Sequence, residues 1–315
     1  MAQLTRTRTG AVAAAPAVFV LLWSTGFVGA KYGLPDADPF AFLALRLTIA
    51  GALLAALALV TRSRLDARQA GRAAVSGVLL HASYLGGVFW AISRGVPAGV
   101  SSVVVSLQPV LVAALAARLL GEQLARRQWV GLVVGVAGVA LVLAPGLVAR
   151  TGSLPASGLL ACLVALAGGT VGTLWQKRHG DGIPLLAGTF VQYAAAAVVL
   201  LALSLTTEPG RIHWTPRFVG ALVWLVLVLS IGAVLLLLVL LRRGSASGVS
   251  SLFSLVPPAT AVESYLMFGE RLAALSVLGI MVTAVGVAMV VVPRRERPRG
   301  QPLHQGSSTA TPTAR

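Results

Sequence analysis

The sequence predicts an all-α integral membrane protein with ten transmembrane helices, arranged as two inverted five-helix repeats. Three observations lead to this prediction: a 57% hydrophobic composition with only 11% charged residues, ten apolar segments of membrane-spanning length, and a sequence pattern that recurs in the second half. A soluble domain is about one-quarter charged, so the shortage of charge argues against a soluble enzyme, a coiled coil or a disordered chain.

The apolar segments have the length that a membrane helix requires. Such a helix needs about 20 residues to cross about 30 Å of hydrocarbon at a rise of 1.5 Å per residue. We number the predicted spans 1 to 10 along the chain: 12–33, 39–60, 73–93, 97–118, 128–147, 156–176, 184–206, 216–241, 247–268 and 273–293. The first span is longer than the apolar core of a signal peptide and is interpreted as an uncleaved helix.

The distribution of charge predicts the orientation. A net charge of +16, from 25 Lys and Arg against 9 Asp and Glu, suits either nucleic acid or a membrane surface. With ten spans both termini share one side, and most of the basic residues fall on that side, as in the joint 61–72. The positive-inside rule then places both termini in the cytoplasm of a multi-pass cell membrane protein, with the bacterial inner membrane as the expected location. No basic cluster is interleaved with stacking aromatics, so the expected partner is the lipid bilayer and not nucleic acid.

The second half of the chain repeats a pattern of the first, beginning at Arg94 in one half and Arg243 in the other. The matched residues, in order, are Gly95 with Gly244, Gly99-Val100-Ser101-Ser102 with Gly248-Val249-Ser250-Ser251, Ser106-Leu107 with Ser254-Leu255, Pro109 with Pro257, Gly121-Glu122 with Gly269-Glu270, Gly131 with Gly279, and Gly138 with Gly286. Each half contains five spans, an odd number, so the halves must be inverted relative to each other, as in many secondary transporters. We expect repeats at 1–149 and 150–293, followed by a disordered cytoplasmic tail at 294–315.

These motifs resemble the EamA family of the drug/metabolite transporter superfamily over almost all of residues 12–293. The residues that carry the resemblance are Trp23-Ser24-Thr25-Gly26, Pro39 with Arg46, and, once in each half, Pro109, Gly121-Glu122, Gly131 and Gly138, then Pro257, Gly269-Glu270, Gly279 and Gly286. The resemblance implies a ten-helix transporter of small metabolites, amino acids or toxic compounds, with a cavity lined by spans 1, 3, 4, 6, 8 and 9. The second half departs from the pattern at Val191-Gln192, where span 2 has Arg46, and at the double proline Pro257-Pro258.

Two spans contain prolines about halfway along their length, where the broken helices of transporters bind solute. Gln108-Pro109 lies in span 4 and Pro257-Pro258 in span 9. The alternative is a packing kink whose free backbone groups are satisfied by Ser106 or Ser254. Function is favoured for Gln108, because its amide must find polar partners in hydrocarbon.

Few ionisable residues lie inside the spans, and such residues are candidates for function. Arg46 and Glu263 both lie about 10 Å deep by counting residues. We predict that they pair, as an outer gate, a proton-sensitive latch or a purely structural ion pair. His81, near the midplane, is either a proton relay or a hydrogen-bonding partner of a neighbouring helix. Lys31, at the end of span 1, completes the coupling and gating candidates.

The predicted cavity walls are aromatic and amide side chains: Trp23, Tyr84, Trp90, Trp175, Gln176, Gln192 and Tyr193. An aromatic near a helix end is equally expected as an interface anchor. The small residues Gly131, Gly135, Gly138, Gly279 and Gly286 suit close packing of spans 5 and 10, or a homodimer formed through the last helix of each repeat.

The sequence as a whole predicts a secondary active transporter, with proton-coupled efflux or exchange of amino acids, nucleosides or drug-like compounds by alternating access. The alternatives are a membrane sensor or scaffold, or an intramembrane enzyme. An enzyme is not expected, because the sequence has no HExxH, no GxSxG and no pair of membrane carboxylates. A phosphate-binding loop is missing as well, and the single Cys162 permits no cysteine cluster, so neither a cofactor nor a metal is expected.

Overall fold

The computed structural model describes residues 2–120, 125–148, 154–233, 236, 240 and 252–291. These parts of the chain are helical, with a single isolated β-bridge between Ala37 and Ile212. The α-helices are α1 (Ala2–Gly33), α2 (Pro39–Val60), α3 (Ala67–Gly77), α4 (Tyr84–Ser93), α5 (Ala98–Val105), α6 (Gln108–Leu120), α7 (Arg126–Val148), α8 (Ala156–His179), α9 (Leu185–Thr207), α10 (Pro216–Val223), α11 (Val256–Phe268) and α12 (Ala274–Val291).

Nine stretches within the described ranges are long and apolar enough to cross a membrane, and they overlap spans 1 to 8 and span 10. Span 9 begins at residues outside the described ranges, and its described part is α11, which follows a 3-10 turn at Phe253–Leu255. The predicted tail at 294–315 and the motif Gly121-Glu122 also lie outside the described residues. The predicted all-helical membrane architecture is thus confirmed for the described part of the chain.

Two spans contain π-helical segments that hydrophobicity did not predict. The first, Val78–Ser83, joins α3 to α4, and the second, Trp224–Ala233, continues α10. They lie in spans 3 and 8, the third span of each predicted repeat. A π-helical segment shifts the hydrogen-bond register of a helix by one residue and is frequent at functional sites.

Polar contacts between joints define the two ends of the helical bundle. At one end Asp36 accepts hydrogen bonds from Thr215 at 2.9 Å and from Arg217 at 2.6 Å. At the other end the Gln69 side chain donates to the carbonyl oxygen of Gly182 at 3.1 Å. The joint after span 1 therefore meets the joint after span 7, and the joint after span 2 meets the joint after span 6 at the opposite end.

Glycines bring the last helices of the two halves into direct contact. A Cβ atom at Gly138 would lie 2.4 Å from the backbone nitrogen of Thr283, and one at Gly286 would lie 2.3 Å from that of Gly135. Only a residue without a Cβ allows so close an approach of α7 and α12. The glycine faces are thus used inside one chain, as the first of the two alternatives expects, and the homodimer through the last helix of each repeat stays a prediction.

Candidate functional site

A group of polar side chains lies between four membrane helices, and we call it the Arg46 cluster: Arg46, His81, Gln192, Tyr193 and Ser230. The Nε and Nη2 atoms of Arg46 donate to Ser230 Oγ at 3.3 and 3.1 Å. His81 Nε2 lies 3.3 Å from Gln192 Oε1, and the Tyr193 hydroxyl donates to the backbone oxygen of Ser230 at 3.5 Å. The rings of His81 and Tyr193 meet edge to face at 4.8 Å between centroids.

The two π-helical segments supply two members of this cluster. His81 lies in Val78–Ser83 and Ser230 in Trp224–Ala233. Ser230 Oγ also donates to the carbonyl oxygen of Leu225, five residues earlier, at 3.0 Å, which is the spacing of a π-helix. The remaining members come from α2 and α9, which pack along each other. The cluster therefore combines residues from both halves of the chain.

The predicted pair of Arg46 with Glu263 is wrong. Arg46 on α2 faces Ser230, whereas Glu263 on α11 faces α1 and accepts a hydrogen bond from Ser24 Oγ at 2.6 Å. No ion pair joins the two among the described residues. Counting residues from the helix ends gave each side chain a depth in the membrane, but not the direction in which it points around its helix axis.

A second set of polar contacts follows the packing of α1 against α11, and we call it the α1–α11 seam: Ser24, Lys31, Glu263 and Glu270. Ser24 is fully buried, and Lys31 forms an ion pair with Glu270 through Nζ and Oε1. Lys31 also lies over the ring of Phe268, 4.8 Å from its centroid. Ser24 and Lys31 are two helical turns apart on α1, while Glu263 lies on α11 and Glu270 lies two residues beyond its end, so the two contacts hold α11 and the residues after it against α1.

Several oxygen atoms near the seam lack partners within the described residues. Glu263 Oε2, Thr260 Oγ1 and Ser264 Oγ are buried without a hydrogen bond. Thr260 and Ser264 are 0% and 1% exposed. Buried hydroxyls and carboxylates without partners are rare because each one loses its hydration. This end of the seam therefore has unused capacity to bind a proton or a polar group.

Both proline positions lie in the first turn of a helix. Helix α5 ends at Val105 and α6 begins at Gln108, so Pro109 is the second residue of α6. Pro257 is likewise the second residue of α11, after its 3-10 turn. Pro258 follows it and is half-buried, whereas Pro257 is buried. Proline is accepted in a first helical turn because its missing N–H has no partner there.

The Gln108 amide has the polar partners that the sequence demanded, and they lie on α8. Its Nε2 atom donates to the carbonyl oxygen of Gly169 at 3.1 Å and to Thr173 Oγ1 at 2.8 Å. A Cβ atom at Gly169 would lie 2.8 Å from both Gln108 Oε1 and Tyr84 Cδ2. Gln108 and Tyr84 thus both pack against α8 at Gly169.

Several of the predicted wall residues make contacts in different parts of the described bundle. Trp23 packs its ring against Phe19 and Phe253, with centroids 5.2 Å away in each case. Trp175 Nε1 donates to the carbonyl oxygen of Arg72 at 3.1 Å, which joins α8 to α3 at the cytoplasmic end predicted by charge. Gln176 follows Trp175 near the end of α8.

Trp90 lies near the end of α4, beneath the guanidinium of Arg94 at 4.5 Å from the ring centroid. It lines a groove of about 310 Å³ with Phe40, Gly87 and Leu160 among its neighbours. Leu160 is 62% exposed, and the lining is apolar, so this groove opens sideways towards lipid and not into the bundle.

Sequence reasoning missed Ser24 and Ser230 as site residues. Ser230 interrupts the apolar run WLVLVLSIGA, and Ser24 lies inside the Trp23-Ser24-Thr25-Gly26 motif. A lone serine can satisfy its hydroxyl on its own helix backbone, so its presence alone gave no signal. The structure distinguishes these two because both hydroxyls also contact side chains more than 100 residues away.

Several known proteins similar to this chain are named as transporters or efflux pumps. Uncharacterized transporter YvbV of Bacillus subtilis is 28% identical over 92% of this chain and 93% of its own length. Uncharacterized inner membrane transporter YedA of Escherichia coli is 26% identical over 86% of this chain and 88% of its own. A protein of Salmonella typhimurium named "Probable amino-acid metabolite efflux pump" is 24% identical over 88% of this chain and 94% of its own.

One solved crystal structure of a protein superposes on this chain with a TM-score of 0.62. The likeness covers 87% of this chain and 94% of the other, at 21% sequence identity, and therefore concerns the fold alone. The model of the EamA-like transporter family matches residues 9–144 and again 156–292, which is most of the sequence. The chain therefore belongs to the EamA-like transporter family.

Proposed function

We propose that this protein is a secondary active transporter that moves a small metabolite across the membrane by alternating access. The observation that carries the proposal is the Arg46 cluster, a polar site inside an apolar bundle. The first half of the chain contributes Arg46 and His81, and the second half contributes Gln192, Tyr193 and Ser230. A site shared by two halves can be exposed to either side of the membrane when the halves rock against each other.

The proposed architecture is a pair of inverted repeats at 1–149 and 150–293 with both termini in the cytoplasm. Two family matches of similar length support the duplication. The joint after span 1 and the joint after span 6, which occupy equivalent places in the repeat, lie at opposite ends of the bundle, and this supports the inversion. The basic residues of the joint 61–72 support the orientation.

The proposed energy source is a proton gradient, and Glu263 is the proposed proton carrier. Its carboxylate is half-buried, accepts one hydrogen bond from Ser24 and leaves Oε2 without a described partner. Intramembrane carboxylates commonly bind and release the coupling proton in pumps and transporters. His81 is the second proposed proton-handling group, since it lies within the Arg46 cluster.

The Lys31–Glu270 ion pair is the proposed outer latch. It lies at the end of α1 and beyond the end of α11, two turns from the Ser24–Glu263 contact. A rocking motion that separates α1 from α11 would break this partly exposed pair first. Efflux is the proposed direction, supported by the name of the Salmonella relative, which concerns that protein itself.

The proposal is tested with purified protein in proteoliposomes that carry an imposed pH gradient. Radiolabelled small carboxylates, amino acids, nucleosides and organic cations are screened for uptake with and without the gradient. We expect gradient-dependent flux for one of these classes and none in liposomes without protein. Binding of a solute without any flux would instead favour a membrane sensor, and flux for none of the classes would contradict the transporter.

A further inference from the structure

The Arg46 guanidinium has more N–H donors than the described residues around it supply acceptors. It carries five N–H groups in a planar fork, yet its described hydrogen bonds go to the single oxygen Ser230 Oγ. Arg46 is 4% exposed, so bulk water does not accept hydrogen bonds from its remaining N–H groups. A buried arginine normally uses its fork on a carboxylate or several carbonyl groups, because the charge is otherwise poorly compensated.

The described surroundings of Arg46 supply no negative charge. The groups that face it are the Ser230 hydroxyl, the His81 ring and the Tyr193 phenol, and its charge acts on the latter two. Six carboxylates of the described residues have polar partners elsewhere: Asp36 with Arg217, Asp38 with Arg211, Asp66 with the first turn of α3, Glu208 with the first turn of α2, Glu263 with Ser24 and Glu270 with Lys31.

The geometry points to Arg46 as the binding group for a carboxylate of the transported solute, an inference that rests on the proposed transport function. A carboxylate brings one negative charge and two oxygens in the spacing of the guanidinium fork, so it would neutralise Arg46 and accept its unused N–H groups. The Gln192 amide and the Ser230 and Tyr193 hydroxyls offer hydrogen bonds to the rest of the solute. A phosphate monoester is excluded from the proposal because its second charge would have no partner.

The inference is tested first on the unmodified full-length protein. Purified protein in nanodiscs is titrated at neutral pH with matched acid and amide pairs: benzoate with benzamide, phenylacetate with phenylacetamide, and butyrate with butyramide. We expect the thermal unfolding temperature to rise with an acid, and that acid to bind about tenfold or more tightly than its amide, as for a charge-assisted hydrogen bond. Equal stabilisation by acid and amide, or none by any acid at millimolar concentration, overturns the inference.

Variants locate the effect at Arg46. R46Q should remove the preference for the acid, whereas R46K, which keeps the charge without the planar fork, should retain a reduced preference. The matched control is R211Q, which removes an exposed arginine in the joint after span 7 and should leave the preference intact. If R46Q does not give a monodisperse protein, the inference is tested by comparing the acid–amide preference of R46K with that of the unmodified protein. An acid preference that persists in R46Q, or an R46K preference equal to that of the unmodified protein, contradicts the inference.

A flux measurement separates this inference from the proposed function. Gradient-driven transport of a neutral or cationic solute that is unchanged in R46Q would support the proposed transport function and contradict the carboxylate inference. Arg46-dependent binding of an acid without flux of any solute would support the carboxylate site and contradict the proposed transport function.

Discussion

Ser24 Oγ donates a hydrogen bond of 2.6 Å to Glu263 Oε1 and so joins the first transmembrane helix to a helix 239 residues further along the chain. Ser24 is fully buried, and the second carboxylate oxygen, Oε2, has no partner among the described residues. The contact gives Glu263 a fixed position while leaving half of its carboxylate available. A proton arriving at Oε2 would therefore meet an oriented acceptor.

The first prediction concerns E263Q. Glutamine can still accept the hydrogen bond from Ser24, so the helices should stay packed, but it cannot bind and release a proton. We expect solute exchange without a gradient to persist, while gradient-driven accumulation falls to the level measured without a gradient. Proteoliposome uptake with and without a pH gradient checks this, and D181N, in the exposed joint after span 6, is the control. Full gradient-driven accumulation in E263Q would show that Glu263 is not the coupling group.

The second prediction concerns the Lys31–Glu270 pair. Its side chains are 30% and 12% exposed, so the pair is only partly screened by solvent. In a double-mutant cycle of K31Q, E270Q and the combined variant, thermal unfolding should give a coupling of about 0.5–1 kcal/mol. The double variant should therefore lose less stability than the sum of the losses in the two single variants. Strict additivity would show that the pair does not fasten α1 to the end of α11.

The third prediction concerns the contact between α7 and α12. G138A places a Cβ atom where it would lie 2.4 Å from the backbone nitrogen of Thr283, so the helices must separate. We expect a loss of about 1–3 kcal/mol of stability, in the range measured for overpacked cores. G220A is the matched control in α10, where nothing lies within 4 Å of the added atom. A melting temperature for G138A as high as that of G220A would contradict the described packing.

The fourth prediction concerns Glu208, which follows α9 and accepts hydrogen bonds from the backbone nitrogens of Phe40 at 3.1 and 3.2 Å and of Ala41 at 3.2 Å. Burial raises the pKa of Glu208 above its ordinary value, against the opposing effect of these backbone donors. The folded protein therefore holds this proton more tightly than the unfolded chain does.

The sign of the pH effect follows from that difference. As pH rises through the ordinary glutamate pKa and then through the raised one, folding loses stability, because the folded state must give up a favoured proton. When both melting temperatures are measured from about pH 4 upwards, that of the unmodified protein should therefore fall relative to that of E208Q. A constant difference between the two proteins over that range would show that Glu208 does not titrate with a raised pKa.

The sequence predicted what depends on length and pattern. Apolar segment length located nine spans of the described chain, because crossing hydrocarbon sets a minimum number of apolar residues. Pro109 predicted the interruption between α5 and α6, and the glycine spacing predicted the close packing of α7 and α12 as one of two alternatives. Each of these features depends on the spacing of residues that lie near one another in the chain.

The sequence did not predict which side chains meet across the bundle. Arg46 and Glu263 lie at similar predicted depths but point towards different helices, so depth alone gave the wrong partner. The π-helical segments that bring His81 and Ser230 into the Arg46 cluster have no hydrophobic signature, since one extra residue per turn does not change composition. Trp175 was assigned to the cavity as an aromatic, yet its indole N–H joins two helices at a bundle end.

We propose above that solute movement through this protein is coupled to protons. The most direct measurement follows the pH inside proteoliposomes, reported by an enclosed fluorescent dye, when a gradient of the transported solute is imposed without any pH gradient. We expect a solute-dependent change of internal pH that is present with the unmodified protein and absent with E263Q. Solute flux that leaves the internal pH unchanged in the unmodified protein would contradict it.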